Sequence, residues 1–244
     1  MPRPRITSYF IDSPVATPPA SAIRVPALVG TAKNTYVVQE QITKGTAGGQ
    51  DTLGHTATSI LRVGLLTSTA DYVMTTDWLL TAVKIDWSPA GTEPTPGQKY
   101  YVTYEYAKAT TDYVPKFFDD FNSVLNEYGP ITLNNDGTLA EVSFITAAAK
   151  LAMDVGQNQL VLVQVKKAGA NPAAADFKDA YDKLEEPVEG FLNPFYLVPL
   201  LGVLGTSDYT QSITDALAHC IKMHDPLYRR RRVLYTGLQN DSSV

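Results

Sequence analysis

Two periodicities divide the chain. Between about residues 33 and 110, apolar positions recur every second residue in short segments with no helical stripe between them. These are TYVVQEQI (35–42), ATSILRVGLL (57–66), TAVKIDW (81–87) and the tyrosine-rich PTPGQKYYVTYEYAK (94–108). In the last, Tyr100, Val102, Tyr104 and Tyr106 share one side while Tyr101, Thr103, Glu105 and Ala107 share the other, the period of a half-buried strand. Val83, Ile85 and Trp87 likewise share a face. The loop SPAGTEPTPGQ is expected to join that strand to the tyrosine strand as a long-looped hairpin, with Tyr100, Tyr104 and Tyr106 against Val83, Ile85 and Trp87.

After residue 112 the pattern changes to helical stripes between unbroken apolar runs. Phe117, Phe118, Phe121, Val124, Leu125 and Tyr128 fall at helical spacing, which predicts a helix with Pro115 in its first turn and Gly129-Pro130 as its stop. Val142, Ile145, Ala149 and Met153 predict a second helix ending at Gly156. Phe177, Tyr181 and Leu184 predict a third. Ile213, Leu217, Cys220 and Ile221 predict a fourth, with Ser212 and Asp215 as its capping box. The runs at 158–165 and 194–201, the latter with Pro199 at its end, and RRVLYTG (231–237) read as buried strands, as does AIRVPALVGTA (22–32). Helices between buried strands predict an α/β fold with a parallel, helix-covered sheet, subtilisin-like or Rossmann-like. The expected organisation is an α/β domain over 22–32 and 111–244, a small antiparallel β domain inserted over 33–110, and an extended arm over 1–21. The first 26 residues hold six of the 16 prolines and cannot be helical, but ITSYFI (6–11) within them is strand-like.

The net charge of −5 argues against a sequence-independent nucleic-acid binder. Cys220, the sole cysteine, allows no intrachain disulfide and no cysteine-based zinc site. Apolar runs fall short of a membrane span, and MPRPRITSYFIDSP lacks the core of a secretory signal. No nucleophile motif accompanies His55; His219 and His224, five apart, diverge on a helix; and no phosphate-loop motif occurs. Gly30, Gly169, Gly202 and Gly205 cluster at predicted strand ends, where a doubly wound sheet would take a ligand. Asp119-Asp120 and Glu185-Glu186 read as solvated neighbours. The most unusual charge feature is YRRRRV (228–233). Its Arg229, Arg230, Arg231 and Arg232 are complementary to the acidic stretch 176–190, including Glu185 and Glu186. Opposite patches on one chain can meet head to tail between copies.

The ordered set of segments (the proline-rich arm, VPALVGTA, the β insertion ending PTPGQKYYVTYEYAK, NSVLNEYGP, AAAKLAMDVGQNQLVLVQV, DAYDKLEEPVEGFLNPFYLVPL and ALAHCIKMHDPLYRRRRVLY) resembles bacteriophage contractile tail sheath proteins over most of the chain. The resemblance implies a non-enzymatic structural polymer without cofactor or metal. Its subunits ring a tail tube, contract by rearranging during DNA delivery, and exchange arms that add strands to neighbouring sheets. Ile6, Tyr9 and Phe10 would anchor the donated strand. The implied partners are other copies of the chain, the tail tube protein, and the baseplate and tail terminator proteins, with no direct nucleic acid and no membrane. The implied place is the virion tail, assembled in the host bacterial cytoplasm. Sheath proteins usually continue past the strand matching RRVLYTG, so the α/β domain is expected to be incomplete at its C-terminus. Two other readings stay open: an α/β ligand-binding protein or enzyme using the glycine loops, and a non-contracting tail connector.

Overall fold

The first apolar run forms β1 (Pro26–Gly30), followed by β2 (Thr35–Thr43), β3 (Gln50–Thr52), β4 (Ala57–Gly64), β5 (Leu79–Thr81), β6 (Lys84–Asp86) and β7 (Lys99–Ala107). The rest of the chain supplies β8 (Lys116–Phe118), α1 (Phe121–Tyr128), α2 (Phe144–Asp154), β9 (Leu160–Gln164) and α3 (Ala174–Asp182). It ends with β10 (Tyr196–Pro199), α4 (Thr206–His224) and β11 (Val233–Leu234). This computed structural model describes residues 25–66, 71–89, 91–186, 194–225 and 232–236. The chain divides into two units, Lys33–Asp112 and the segments that flank it.

The Lys33–Asp112 unit holds two three-stranded antiparallel sheets, ordered β2-β7-β4 and β3-β6-β5. The tyrosine strand β7 is the centre of the first, paired with β2 over nine consecutive residues. Its inward Tyr100, Val102 and Tyr104 are fully buried with Ile85 and Trp87, and the Trp87 and Tyr100 rings meet edge to face at 5.3 Å. The expected hairpin is not formed: β6 belongs to the other sheet, so Trp87 reaches Tyr100 across the core. Val83 is not buried, because Ala82 (φ 55°) and Val83 make the tight turn between β5 and β6. Asp51 organises the polar centre by accepting from Trp87 Nε1 at 3.0 Å, Tyr100 OH at 3.0 Å and Gly45 N at 2.9 Å. A carboxylate that satisfies three donors there spares each the cost of an unpaired burial.

In the flanking unit one sheet runs β11-β10-β1-β9-β8. β1, β9, β10 and β11 are parallel, while β8 is an antiparallel edge. Alternate residues of the central strands enter two different cores. Ala27, Val29, Val161, Val163 and Leu197 pack with Phe177, Tyr181, Ala216 and Cys220 of α3 and α4. Leu28, Leu160 and Leu162 pack with Val124, Tyr128, Ile145 and Ala149 of α1 and α2. Burial on both faces is why these strands read as unbroken apolar runs. The fold is therefore mixed α/β, built on a mixed parallel and antiparallel sheet with separate antiparallel sheets.

The predicted helix from Pro115 is divided. Phe117 and Phe118 lie in β8, and α1 starts only after Asp120, whose extended backbone (φ −140°) and side chain, accepting from Ser123 N at 2.9 Å, cap the helix. Capping chemistry outweighs the helical spacing of the two phenylalanines. α4 starts five residues before the QSITDALAHCIKMHD segment, so Ser212 and Asp215 lie inside it and form no capping box. Ser212 is instead buried, 2.8 Å from the Tyr181 hydroxyl. The buried stripe of α4 is Ser212, Ala216, His219, Cys220 and Met223; Leu217 and Ile221 face outward.

Candidate functional site

In a sheet wound in both directions from β1, the strand order reverses between β1 and β10, and the crevice at their carboxyl ends is the place where such folds admit a ligand. Here apolar side chains crowd its floor. A Cβ on Gly30 would lie 2.8 Å from Leu200 Cδ1 and 3.0 Å from its Cβ, and one on Gly202 would lie 2.9 Å from Phe144 Cε1. These two glycines make room for apolar packing. A cleft of about 310 Å³ remains, lined by Phe144, Pro199, Leu200, Leu201, Gly202, Tyr209 and Thr236, with no lysine or arginine among the described residues. α4 begins beside this cleft at Gly205, without a side-chain cap. Its first turn carries Asp208, whose carboxylate accepts from Ala174 N at 3.2 Å to serve α3 instead. That fixed negative charge opposes an anionic ligand at the α4 N-terminus.

A second cluster, not anticipated from sequence spacing, joins α3, α4 and the residue before β11. Ligand atoms of Asp182, Glu185 and His219 lie within 4.8 Å of one another. Arg232 lies against the histidine of this group. One terminal nitrogen of its buried guanidinium contacts His219 Nε2, and the other donates to the Leu184 carbonyl. Burial, then the Arg232 charge, lower the His219 pKa to about 3, so the ring is neutral. With Nε2 accepting from Arg232, the ring proton sits on Nδ1, which is buried with no hydrogen-bond partner among the described residues. The guanidinium ties the residue before β11 to His219 of α4 and to the Leu184 carbonyl, and its charge beside the ring opposes a cation there.

Cys220 is buried, and its thiol pKa is pushed up to about 11 by that burial, which leaves it a poor nucleophile. The His55 ring lies flat on Tyr106 at 4.0 Å.

Of the expected assembly residues, Ile6, Tyr9, Phe10, Arg229, Arg230 and Arg231 lie outside the described residues. Glu186 is exposed, whereas Glu185 is half-buried and accepts from Lys222 of its own chain at 2.6 and 2.8 Å. Arg232 departs from the expected exposed block: it is 7 % exposed, drawn inward by the Leu184 carbonyl and the His219 acceptor.

A family model described as a domain of unknown function (DUF4815) matches residues 11–144, more than half of the 244-residue chain. The chain belongs to this family. No curated protein and no solved structure matches it. The DUF4815 match takes in β1, the whole Lys33–Asp112 unit, β8 and α1, and ends on the first residue of α2. It therefore spans Gly30 but stops short of Leu200 and of the His219–Arg232 tie. No helix among the described residues is long and apolar enough to cross a membrane.

Proposed function

We propose that this protein is a structural subunit of a phage contractile tail sheath. It polymerises around the tail tube and contracts by subunit rearrangement during DNA delivery, with no catalysis, cofactor or metal. In this reading its partners are other copies of itself, the tail tube protein, and the baseplate and tail terminator proteins. It acts in the virion tail after assembly in the host bacterial cytoplasm, without touching nucleic acid or entering a membrane. Residues 1–21 supply the arm, whose ITSYFI segment adds a strand to a neighbour's sheet, a contact that survives large movements of the bodies because main-chain hydrogen bonds hold it.

The observation that carries the reading is the interruption of the α/β unit directly after its first strand by an antiparallel β unit, Lys33–Asp112, the organisation the sequence resemblance implies. The order β9-β1-β10-β11, with helices on both faces, supports a Rossmann-like body. The apolar lining of the crevice, with Leu200 and Phe144 close against Gly30 and Gly202 and no lysine or arginine among the described residues, gives no support to a phosphate-binding role. Electron micrographs of the purified protein under assembly conditions test the proposal. Rings or tubes are expected. Unassembled particles, together with thermal stabilisation by a nucleotide or sugar, would replace it with the ligand-binding reading.

A further inference from the structure

The two edges of the β2-β7-β4 sheet are built differently. β4 carries two register shifts, between Ala57 and Ser59 and between Ile60 and Arg62. Such bulges bend an edge away from pairing with another chain. β2 has none: nine residues pair with β7 without interruption. Among the described residues, Val37 to Thr43 make no backbone hydrogen bond other than those to β7. The strand TYVVQEQIT contains no proline and no lysine or arginine. Its single charge, Glu40, is engaged by Tyr104 OH at 2.8 Å and Gly54 N at 2.9 Å. Val37, Gln39, Gln41 and Thr43 are exposed on the outer face, with Val37 at 54 %. A long, regular edge without protective devices templates a further strand.

The sequence of that edge specifies its occupant. Laid antiparallel on a second β2 about a two-fold axis through Gln39, Thr35 meets Thr43, Tyr36 meets Ile42, Val37 meets Gln41 and Val38 meets Glu40. Gln39 meets its own copy. No like charges stand opposite each other, and the threonine and glutamine pairs can hydrogen-bond across the strands. We propose that β2 is a self-pairing edge that joins two copies of this chain into a two-fold dimer, merging two three-stranded sheets into one of six strands. The contact is isologous and closes on itself. It describes the free subunit, and does not depend on the arm exchange proposed above.

Sedimentation velocity of the full chain over a range of concentrations tests it. The native protein is expected to show a reversible dimer. Gln39→Lys and Gln39→Glu each set like charges face to face at the axis, so each alone should weaken the dimer by about fivefold at low salt. An equimolar mixture of the two should restore it. Deleting residues 1–20 should leave this dimer intact while removing arm-mediated assembly, so the two ideas fail separately. A native chain that stays monomeric throughout, or Gln39→Lys dimerising like the native chain, overturns the proposal.

Discussion

Replacing Gly30 with alanine probes the crowded crevice at the sheet's reversal point. The added Cβ would stand 2.8 Å from Leu200 Cδ1 and 3.0 Å from Leu200 Cβ, well inside the roughly 3.5–4.0 Å at which carbon atoms attract. Alanine would ordinarily favour a strand interior over glycine by about 0.5–1 kcal/mol, but overpacking of this kind costs about 1–3 kcal/mol. The expected net loss is about 1–2 kcal/mol. In a Leu200→Ala background the closest contact disappears while the 3.0 Å Cβ contact remains, so the cost of Gly30→Ala should fall below about 1 kcal/mol, a coupling a double-mutant cycle measures directly. Urea unfolding followed by far-ultraviolet circular dichroism is the assay, because α1 to α4 all lie in the flanking unit. Both tryptophans, Trp78 and Trp87, lie in the Lys33–Asp112 unit, so their fluorescence is an internal control that should not move. A loss below about 0.5 kcal/mol, or one unchanged by Leu200→Ala, would refute the packing argument and restore Gly30 as a position kept open for a ligand.

Three further outcomes follow from the buried polar groups. Asp51→Ala strands the Trp87, Tyr100 and Gly45 donors and should destabilise the Lys33–Asp112 unit by about 3 kcal/mol, read from the urea midpoint of tryptophan fluorescence. The His219 pKa is lowered from 6.5 to about 3, so as pH falls below 6.5 the unfolded chain takes up a proton that the folded chain refuses until about 3. Stability is therefore lost across that window, by an amount on the order of a few kcal/mol, and His219→Gln should flatten the pH dependence of the urea midpoint there. Cys220, with its pKa near 11, should be about one-thousandth thiolate at pH 8, and a thiol reagent should modify it only at the rate of unfolding.

The hydrophobic pattern made most elements legible because the cores are regular. β9 and β10 read as continuous apolar runs since helices cover both faces of the sheet, and Pro199 ends β10 because proline cannot donate to the ladder. Where the structure departs from the pattern, the causes are local. Phe117 and Phe118 hold helical spacing with Phe121, and only the Asp120 cap breaks the helix from the strand. The α4 stripe departs from the apolar pattern because its inward positions include the polar Ser212, which meets Tyr181, and His219, whose Nε2 meets Arg232. The spacing 182, 185, 219 and 232 carries no motif, since those residues meet only through the packing of α3 on α4 and the return of the chain to β11. The strand-end glycines were visible, but the side chains that crowd the space above them, Leu200 and Phe144, come from other parts of the chain.

In the proposed function, copies of the chain assemble through their leading segment. Comparing the sedimentation of the intact chain with that of a chain lacking residues 1–20, under conditions that favour assembly, tests it most directly. Large particles are expected from the former and none from the latter; equal assembly by both would rule out a role for the leading segment.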